Sequence, residues 1–483
     1  MLGHFQLQSL NQEAEISFLQ SALEVEGQFI RTENVVKWVE EQRNALKIDI
    51  NAIPFNKLNK WSFHPETGNL VHASGKFFSI EGIKINTNWG NVPSWTQPII
   101  NQPEVGYLGI IAKKINGILH FLMQAKIEPG NINYVQLSPT LQATKSNYSR
   151  VHEGNAPLYL EYFASKKGKV LLDQLQSEQG ARFLKKRNRN IIIEVTGDIP
   201  MYDNFCWLTL GQIKSLLQID NLINMDTRTV LSGISFGSYA VNGINLVDKL
   251  VHRSTNEESH KRQMLITALD TSAALHSFEE IISWITSLKS TYDLEVSRIP
   301  LKDVQKWEKN ENELYHEDHK YFSVIAVDVH ISNREVVNWS QPIVKSAQEG
   351  IIGFIVRKIN GVLHFLVQAK IEAGNFDILE LAPTVQCLTG NYRKGLNDYE
   401  VPFINEVLNA PKENIIYKAF QSEEGGRFYR EQNLNLIVEM DERFSQEVPE
   451  NYCWMTLNQL YTFIKFNNYL NIQARSLLAS VTF

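Results

Sequence analysis

The chain states most of its sequence twice. Trp95-Thr-Gln-Pro-Ile99 returns as Trp339-Ser-Gln-Pro-Ile343, and the run from Ile115 through Asn-Gly-Ile-Leu-His-Phe-Leu-Met-Gln-Ala-Lys-Ile to Glu128 returns between Ile359 and Glu372. Gln97 and Gln341 lie 244 residues apart, Arg182 and Arg427 245, Trp61 and Trp307 246, and Arg228 and Arg475 247. Only short insertions separate the copies. A period this long far exceeds the roughly 20–50 residues of solenoid units, so it marks two whole domains and not a stacked array. Every site built by one half therefore has a counterpart in the other.

The copies set the boundaries. Residues 1–31 read as a helical extension, 32–236 as the first repeat, 237–277 as a linker with a helix, and 278–483 as the second repeat. The polar, aperiodic run His252 to Arg262 in the join reads as a protease-sensitive linker. Each half is long enough to bury a core of its own. Amphipathic spacing around Trp38 and Trp284 predicts a helix at the start of each repeat, and 11–30 predicts an extra leading helix. β-branched and aromatic content predicts strands at 77–85, 105–113, 117–128 and 191–195. Helical spacing is read at 169–184 and 209–217. Sheet followed by helices, without βαβ alternation, is an α+β pattern with an antiparallel-rich sheet.

Composition narrows the function classes. With 43% hydrophobic and 21% charged residues the chain is an ordinary globular one. A net charge of -6 argues against a nucleic-acid partner, which would call for a basic face. No run approaches the roughly 18 apolar residues of a membrane span, and no signal peptide opens the chain, so no membrane is involved and a cytoplasmic location is expected. Cys206, Cys387 and Cys453 are too few and scattered for a disulfide framework or a zinc site. Dinucleotide, Walker, zinc-protease and serine-hydrolase motifs are missing.

Three polar islands recur in both copies. Along Leu119 to Glu128, period-two geometry puts His120, Gln124, Lys126 and Glu128 on one face, and His364, Gln368, Lys370 and Glu372 recreate the stripe. Two readings stay open, a solvated outer face or a ligand cleft. Pro139 to Arg150 and Pro383 to Lys394 are polar loops whose hydroxyls and amides suit phosphate, with Tyr148 and Tyr392 able to stack on a base or donate a proton. Gln176-Ser-Glu-Gln-Gly-Ala-Arg-Phe183 and Gln421-Ser-Glu-Glu-Gly-Gly-Arg-Phe428 carry glycines suited to a helix C-cap or close ligand approach. Glu178 and Arg182, four apart, are read either as an intrahelical ion pair or as site residues, and Gln176 and Ser177 as the better ligand contacts.

Together, Trp95 with Gln97-Pro98, Gln124 to Glu128, Thr144-Lys-Ser-Asn-Tyr148 and Gln176 to Gly180, with their second copies, resemble the nucleoside-diphosphate-hexose 2,3-dehydratases of deoxysugar biosynthesis. The likeness covers nearly the whole chain. It implies a Nudix-like fold for each half, a homodimer, and a substrate of the dTDP-4-keto-6-deoxyglucose class that loses its carbon 2 hydroxyl. It also implies functional coupling to a 3-ketoreductase that takes the product onward. By resemblance, Trp61, Thr144, Lys145, Ser146, Asn147, Tyr148 and Ser177 contact the nucleotide sugar in a first pocket, with Gln124, Gln176 and Arg182 beside them. Trp307, Thr389, Gly390, Asn391, Tyr392 and Ser422 do so in a second, with Gln368, Lys370, Gln421, Glu423, Gly425, Gly426 and Arg427.

The departures matter too. Nudix hydrolases hold magnesium on a Gly-x5-Glu-x7-Arg-Glu-x2-Glu-Glu-x-Gly box, of which these islands keep only the tail, so no metal and no cofactor is expected. The elimination needs a base for the carbon 3 proton, an acid for the departing oxygen and a donor to the enolate. Tyr148, Glu128, Lys126 or His120 is expected to supply acid and base, with Tyr392, Glu372, Lys370 and His364 as counterparts. Lys145-Ser146 against Thr389-Gly390, and Gln179 and Ala181 against Glu424 and Gly426, make the pockets inequivalent, and the first is read as the active one. A Nudix-type nucleotide-sugar pyrophosphatase and a non-catalytic nucleotide-sugar binder are the alternatives.

Overall fold

The computed structural model describes residues 12–144, 157–165, 167–237, 240–241, 244–245, 260–332, 338–388 and 401–483. Lys145, Ser146, Asn147, Tyr148, Thr389, Gly390, Asn391 and Tyr392 lie outside the described residues.

Each half contributes a seven-stranded mixed sheet. In the first, Lys169–Ser177, Arg187–Glu194, Gly106–Ile115, Ile118–Ile127 and Phe205–Thr209 lie side by side, with Val135–Ser138 and Leu141–Ala143 added on. The pair Arg187–Glu194 and Gly106–Ile115 is parallel and the rest antiparallel. Ile415–Ser422, Gln432–Met440, Gly350–Ile359, Val362–Lys370 and Tyr452–Thr456 repeat this order in the second half. The expected α+β, antiparallel-rich architecture is the one observed.

One predicted helix is a strand. Residues 169–177 pair with Arg187–Glu194, and a β-bulge between Val170 and Leu172 inserts one extra residue. The bulge breaks the period of two, so the apolar residues on either side fall into a spacing that imitates a helix. The island from Gln176 to Phe183 is consequently a strand end and the loop after it. Glu178 and Arg182 do not share a helix.

The smaller sheets are exchanged between the halves. Ile48–Ile53 of the first half pairs with Phe322–Ile331 of the second, Ile50 opposite Val329. Leu294–Ile299 of the second pairs with Ser79–Thr87 of the first, Val296 opposite Ile85. The two sheets pack face to face through Phe55, Trp61, Phe78 and Ile80 from one half and Leu301, Val304, Phe322 and Val324 from the other. Each half keeps a smaller apolar cluster of its own, around Leu122, Ile191 and Trp207 in the first and Leu366, Val438 and Trp454 in the second, but the main core is shared. The largest cluster runs from Phe18 and Phe121 to Phe354, Phe365 and Leu477, because swapped strands and interdigitated loops leave no apolar gap between the copies.

The leading helix Gln12–Leu23 also has a double. Ser21 Oγ donates to the Leu119 carbonyl at 2.6 Å and accepts from the Leu210 N–H at 2.8 Å. On helix His260–Leu269, Thr267 Oγ1 donates to Leu363 at 2.5 Å and accepts from Leu457 at 3.0 Å. A helix that looked unique in sequence is thus repeated in space. Downstream, Thr209 with Gln212 and Thr456 with Gln459 form capping boxes that start equivalent helices. No helix among the described residues is long and apolar enough to cross a membrane.

Candidate active site

The Trp-x-Gln-Pro islands act as clamps. Trp95 Nε1 donates to Gln97 Oε1 at 2.9 Å, and Gln97 Nε2 donates to the Ala181 carbonyl at 3.2 Å. Trp339, Gln341 and the Gly426 carbonyl repeat the chain at 2.8 and 2.7 Å. Each clamp fixes a glycine loop against its own half. The loop then reaches into the other one: Gly130 N–H donates to the Gly425 carbonyl and Gly374 N–H to that of Gly180, both at 2.7 Å.

Both candidate sites are therefore built from both halves. Ser177 Oγ donates to Glu380 Oε2 at 2.9 Å, and Ser422 Oγ to Gln136 Oε1 at 2.9 Å. The buried Arg228 guanidinium binds the Ser422 carbonyl, and Arg475 that of Ser177. Arg427 lies 4.2 Å over the ring of Phe78, and Arg182 4.2 Å over Phe322. The sequence grouped Trp61 and Ser177 in one pocket and Trp307 and Ser422 in the other. That grouping is corrected by the interlocking: Ser177, Gln176 and Arg182 go with Glu372, where Glu423 also faces Arg182, and Ser422, Gly425, Gly426 and Arg427 come from the second half toward the side of Glu128. Trp61 packs on Phe78 at 4.8 Å, one ring from Arg427, and Trp307 stands in the same relation to Arg182 through Phe322 at 4.7 Å.

In the pocket at Glu128, Gln142 Nε2 donates to the Glu128 carboxylate and is itself held by Asn224, the N-cap of helix Met225–Ser232, at 3.3 Å. Lys126 Nζ stands 4.0 Å from Glu128 Oε1. Asp226, in the first turn of the same helix, and Glu424, from the second half, complete a cluster in which one carboxylate oxygen from each residue lies within 4.8 Å of the other two. Burial, then Glu128, pushes Glu424 up to about 7. Burial, then Glu424 and Glu128, raises Asp226 well above the carboxylate range. Arg427, Lys126 and Lys186 face the same acids.

The counterpart pocket has lost two of the three acids. Glu372 is held by Gln386 Nε2 at 2.9 Å, and Gln386 by Asn471 at 2.7 Å, as in the first copy. Gln473 stands where the other pocket has Asp226, and Gln179 where it has Glu424. Other buried carboxylates lie on that side: Glu380 and Glu423 are pushed up to about 8, chiefly by burial, and Glu431 is raised too, against the pull of Arg182.

The polar stripe does not behave as one site. The strand Ile118–Ile127 is covered on both faces, so neither a solvated face nor one continuous cleft is seen. His120 is fully buried, its Nδ1 2.9 Å from the Ile118 carbonyl and its ring against Phe29. Eight residues of extended chain put it roughly 26 Å from Glu128. His364 is likewise buried, accepting the Leu275 N–H at 2.9 Å. Desolvation lowers both imidazoles below their ordinary range. As acid or base beside Glu128 or Glu372 the two histidines are ruled out by distance. Lys126, Lys370, Gln124, Gln368 and Thr144 are half-buried, with Lys370 Nζ 3.3 Å from the Gln386 carbonyl.

Sequence reasoning does not single out Asp226, Gln142 or Asn224, and takes Glu424 only as a difference between the two copies. Seeking residues identical in both copies passes over Asp226, which faces Gln473 in the alignment, and leaves Glu424 without a role. The expected absence of a Nudix carboxylate box stands as a statement about local sequence only. The acid cluster forms from three distant segments, which no linear motif records.

The profile of a family described as NDP-hexose 2,3-dehydratase matches residues 32–234 and 278–481. A dTDP-4-dehydro-6-deoxy-alpha-D-glucopyranose 2,3-dehydratase of Saccharopolyspora spinosa is 46% identical over 465 residues, 96% of this chain and 94% of that one. Proteins of the same name from Amycolatopsis orientalis and Streptomyces violaceoruber are 44% and 42% identical, over 95% and 92% of this chain and 92% and 95% of theirs.

Proposed function

The chain belongs to the NDP-hexose 2,3-dehydratase family, and on that premise we propose that it is a carbon–oxygen lyase removing the carbon 2 hydroxyl of dTDP-4-keto-6-deoxyglucose. The carbon 3 proton is acidified by the neighbouring 4-keto group. A base takes it, the bonding pair becomes an enolate, and the enolate expels the carbon 2 oxygen, which leaves as water once an acid has protonated it. The product is an enol at carbon 3 that tautomerises to a 3,4-diketone. The protons balance without oxidation or reduction.

The observation that carries the reading is the acid cluster Glu128, Asp226 and Glu424, kept in one pocket and replaced by one acid and two amides in the other. An elimination that moves two protons needs groups able to exchange them, and Glu424 and Asp226, both raised by burial and by neighbouring acids, are such groups beside Glu128. Turnover is accordingly assigned to the pocket at Glu128, with Lys126 or Gln124 facing the enolate oxygen. Tyr148 and Tyr392, outside the described residues, remain candidates for acid or base on the resemblance alone.

The same proposal includes a Nudix-like ancestry for repeats 32–236 and 278–483 with 237–277 as their join, a homodimer, a cytoplasmic location and hand-over of the reactive diketone to a 3-ketoreductase. These rest on the resemblance and on product chemistry. The direct test is incubation with dTDP-4-keto-6-deoxyglucose, with and without EDTA, followed by mass spectrometry. Loss of water under both conditions is expected. An unchanged mass would remove the dehydratase reading, and release of a nucleoside monophosphate would replace it.

A further inference from the structure

Resting on the dehydratase reading, we propose that Glu424, supplied by the second repeat to the pocket of the first, is the catalytic acid that protonates the departing carbon 2 oxygen, with Glu128 as the base at carbon 3 and Asp226 and Gly426 as positioning residues.

Three independent features converge on Glu424. One of its carboxylate oxygens lies within 4.8 Å of one from Glu128 and one from Asp226, while the residue itself is only half-buried, so of the three it is the most accessible. Asp226 is 3% exposed, and its Oδ1 has no hydrogen-bond partner among the described residues although it faces the other two acids. A buried oxygen left without a partner is costly unless it holds a proton for a neighbour or receives one from a ligand. Finally, Glu424 folds back so that its Oε1 accepts the Gly426 N–H at 2.9 Å, and a β-carbon on Gly426 would lie 2.4 Å from that oxygen.

The duplicate supplies the control. Where Glu424 becomes Gln179, Gly426 becomes Ala181. The space for a folded-back carboxylate and the carboxylate itself are kept together and lost together. Such pairing is what a placed acid requires, and a solvated surface glutamate would not need it.

The cycle closes on itself. Glu128 takes the carbon 3 proton and Glu424 gives one to the carbon 2 oxygen, leaving Glu128 protonated and Glu424 ionised. One proton passing from Glu128 to Glu424, through the unpartnered Asp226 oxygen, restores the starting state. Glu178, Arg427 and Lys186 also face Glu424 and set the charge around it.

The test separates the two proton transfers. Wild type and Glu424→Gln are given dTDP-4-keto-6-deoxyglucose in deuterium oxide, and both water loss and deuterium entry at carbon 3 are followed. Glu424→Gln should lose about 100-fold or more in kcat for water loss, with KM within about threefold and carbon 3 exchange retained. Gly426→Ala, a change the fold already accommodates at Ala181, should fall about tenfold in kcat with its melting temperature kept. Glu424→Gln turning over within about threefold of wild type, or losing exchange and elimination in equal measure, overturns the proposal while leaving the dehydratase reading intact. If Glu424→Gln does not fold, an undiminished kcat in Gly426→Ala overturns it. A wild type that loses no water removes the dehydratase reading itself.

Discussion

Gly130 donates its backbone N–H to the carbonyl of Gly425 at 2.7 Å, so the two halves of the chain touch main chain to main chain beside Glu128. Gly374 and Gly180 make the same bond beside Glu372. Neither Gly130 nor Gly374 has room for a side chain: a β-carbon would stand 1.7 Å from the carbonyl oxygen of Phe428 in one case and of Phe183 in the other.

Gly130→Ala should therefore push the second-half loop away from the first-half strand. A destabilisation of about 1–3 kcal/mol is expected, with kcat falling further than stability because Glu424 rides on the displaced loop. Gly374→Ala should cost similar stability and far less kcat. Urea unfolding and steady-state kinetics on the pair check this; equal kinetic losses would contradict the assignment of turnover to one pocket.

The pH profile should carry the signature of Glu424. A carboxyl raised to about 7 is protonated below that value and ionised above it, so an acid with this environment works at lower pH and fails as pH rises through about 7. Glu128, Asp226, Glu178, Arg427 and Lys186 are the charged neighbours that set the midpoint. A kcat flat from pH 6 to 9 would count against the role.

Glu380 offers a stability test away from that pocket. Burial, despite the Ser177 hydroxyl and Arg475, raises it to about 8, with Glu372 adding repulsion and Lys289 opposing it. A carboxyl whose folded value is raised contributes stability in full below its unfolded value, and that contribution is lost as pH rises through about 8. Glu380→Gln should hence be close to neutral at pH 5 and stabilising at pH 9, on the order of 1–3 kcal/mol. Gln136 already plays this part opposite Ser422, so the amide fits. Melting at the two pH values reads the difference.

Cleavage within 252–259 should leave the halves together. Strands Ile48–Ile53 and Leu294–Ile299 each lie in the sheet of the other half, and the largest apolar cluster spans both. The nicked chain is expected to elute as one species in gel filtration and to retain turnover. Two separating fragments under native conditions would mean that the exchange of strands contributes little.

Much of this was legible in the chain. The duplication, the α+β class and the family likeness follow from residues that recur at a near-constant offset, and the capped helices follow from Thr209 with Gln212 and Thr456 with Gln459. Lys126, Glu128 and the Gly-Arg loops stand out in sequence because both copies keep them, and the fold gathers Lys126, Glu128 and Arg427 around Glu424. The strand at Lys169–Ser177 was misread because a bulge disguised its period. His120 was misread because alternation along a strand says which face a residue shares, and not how far along that face a single substrate can reach.

What the sequence determined by itself is the inventory: two copies, their strands and helices, and the polar islands each retains. What only the tertiary structure decided is ownership. Two copies of one strand pattern offer a partner strand the same hydrogen bonds and the same apolar face whether it comes from its own half or the other, so local sequence cannot distinguish self-pairing from exchange. Exchange brings Glu424 to Glu128 and Asp226 and takes Ser177 to Glu380. A pocket assembled across that exchange is a property of the folded pair of repeats, because its members meet only when loops far apart in the chain are packed together.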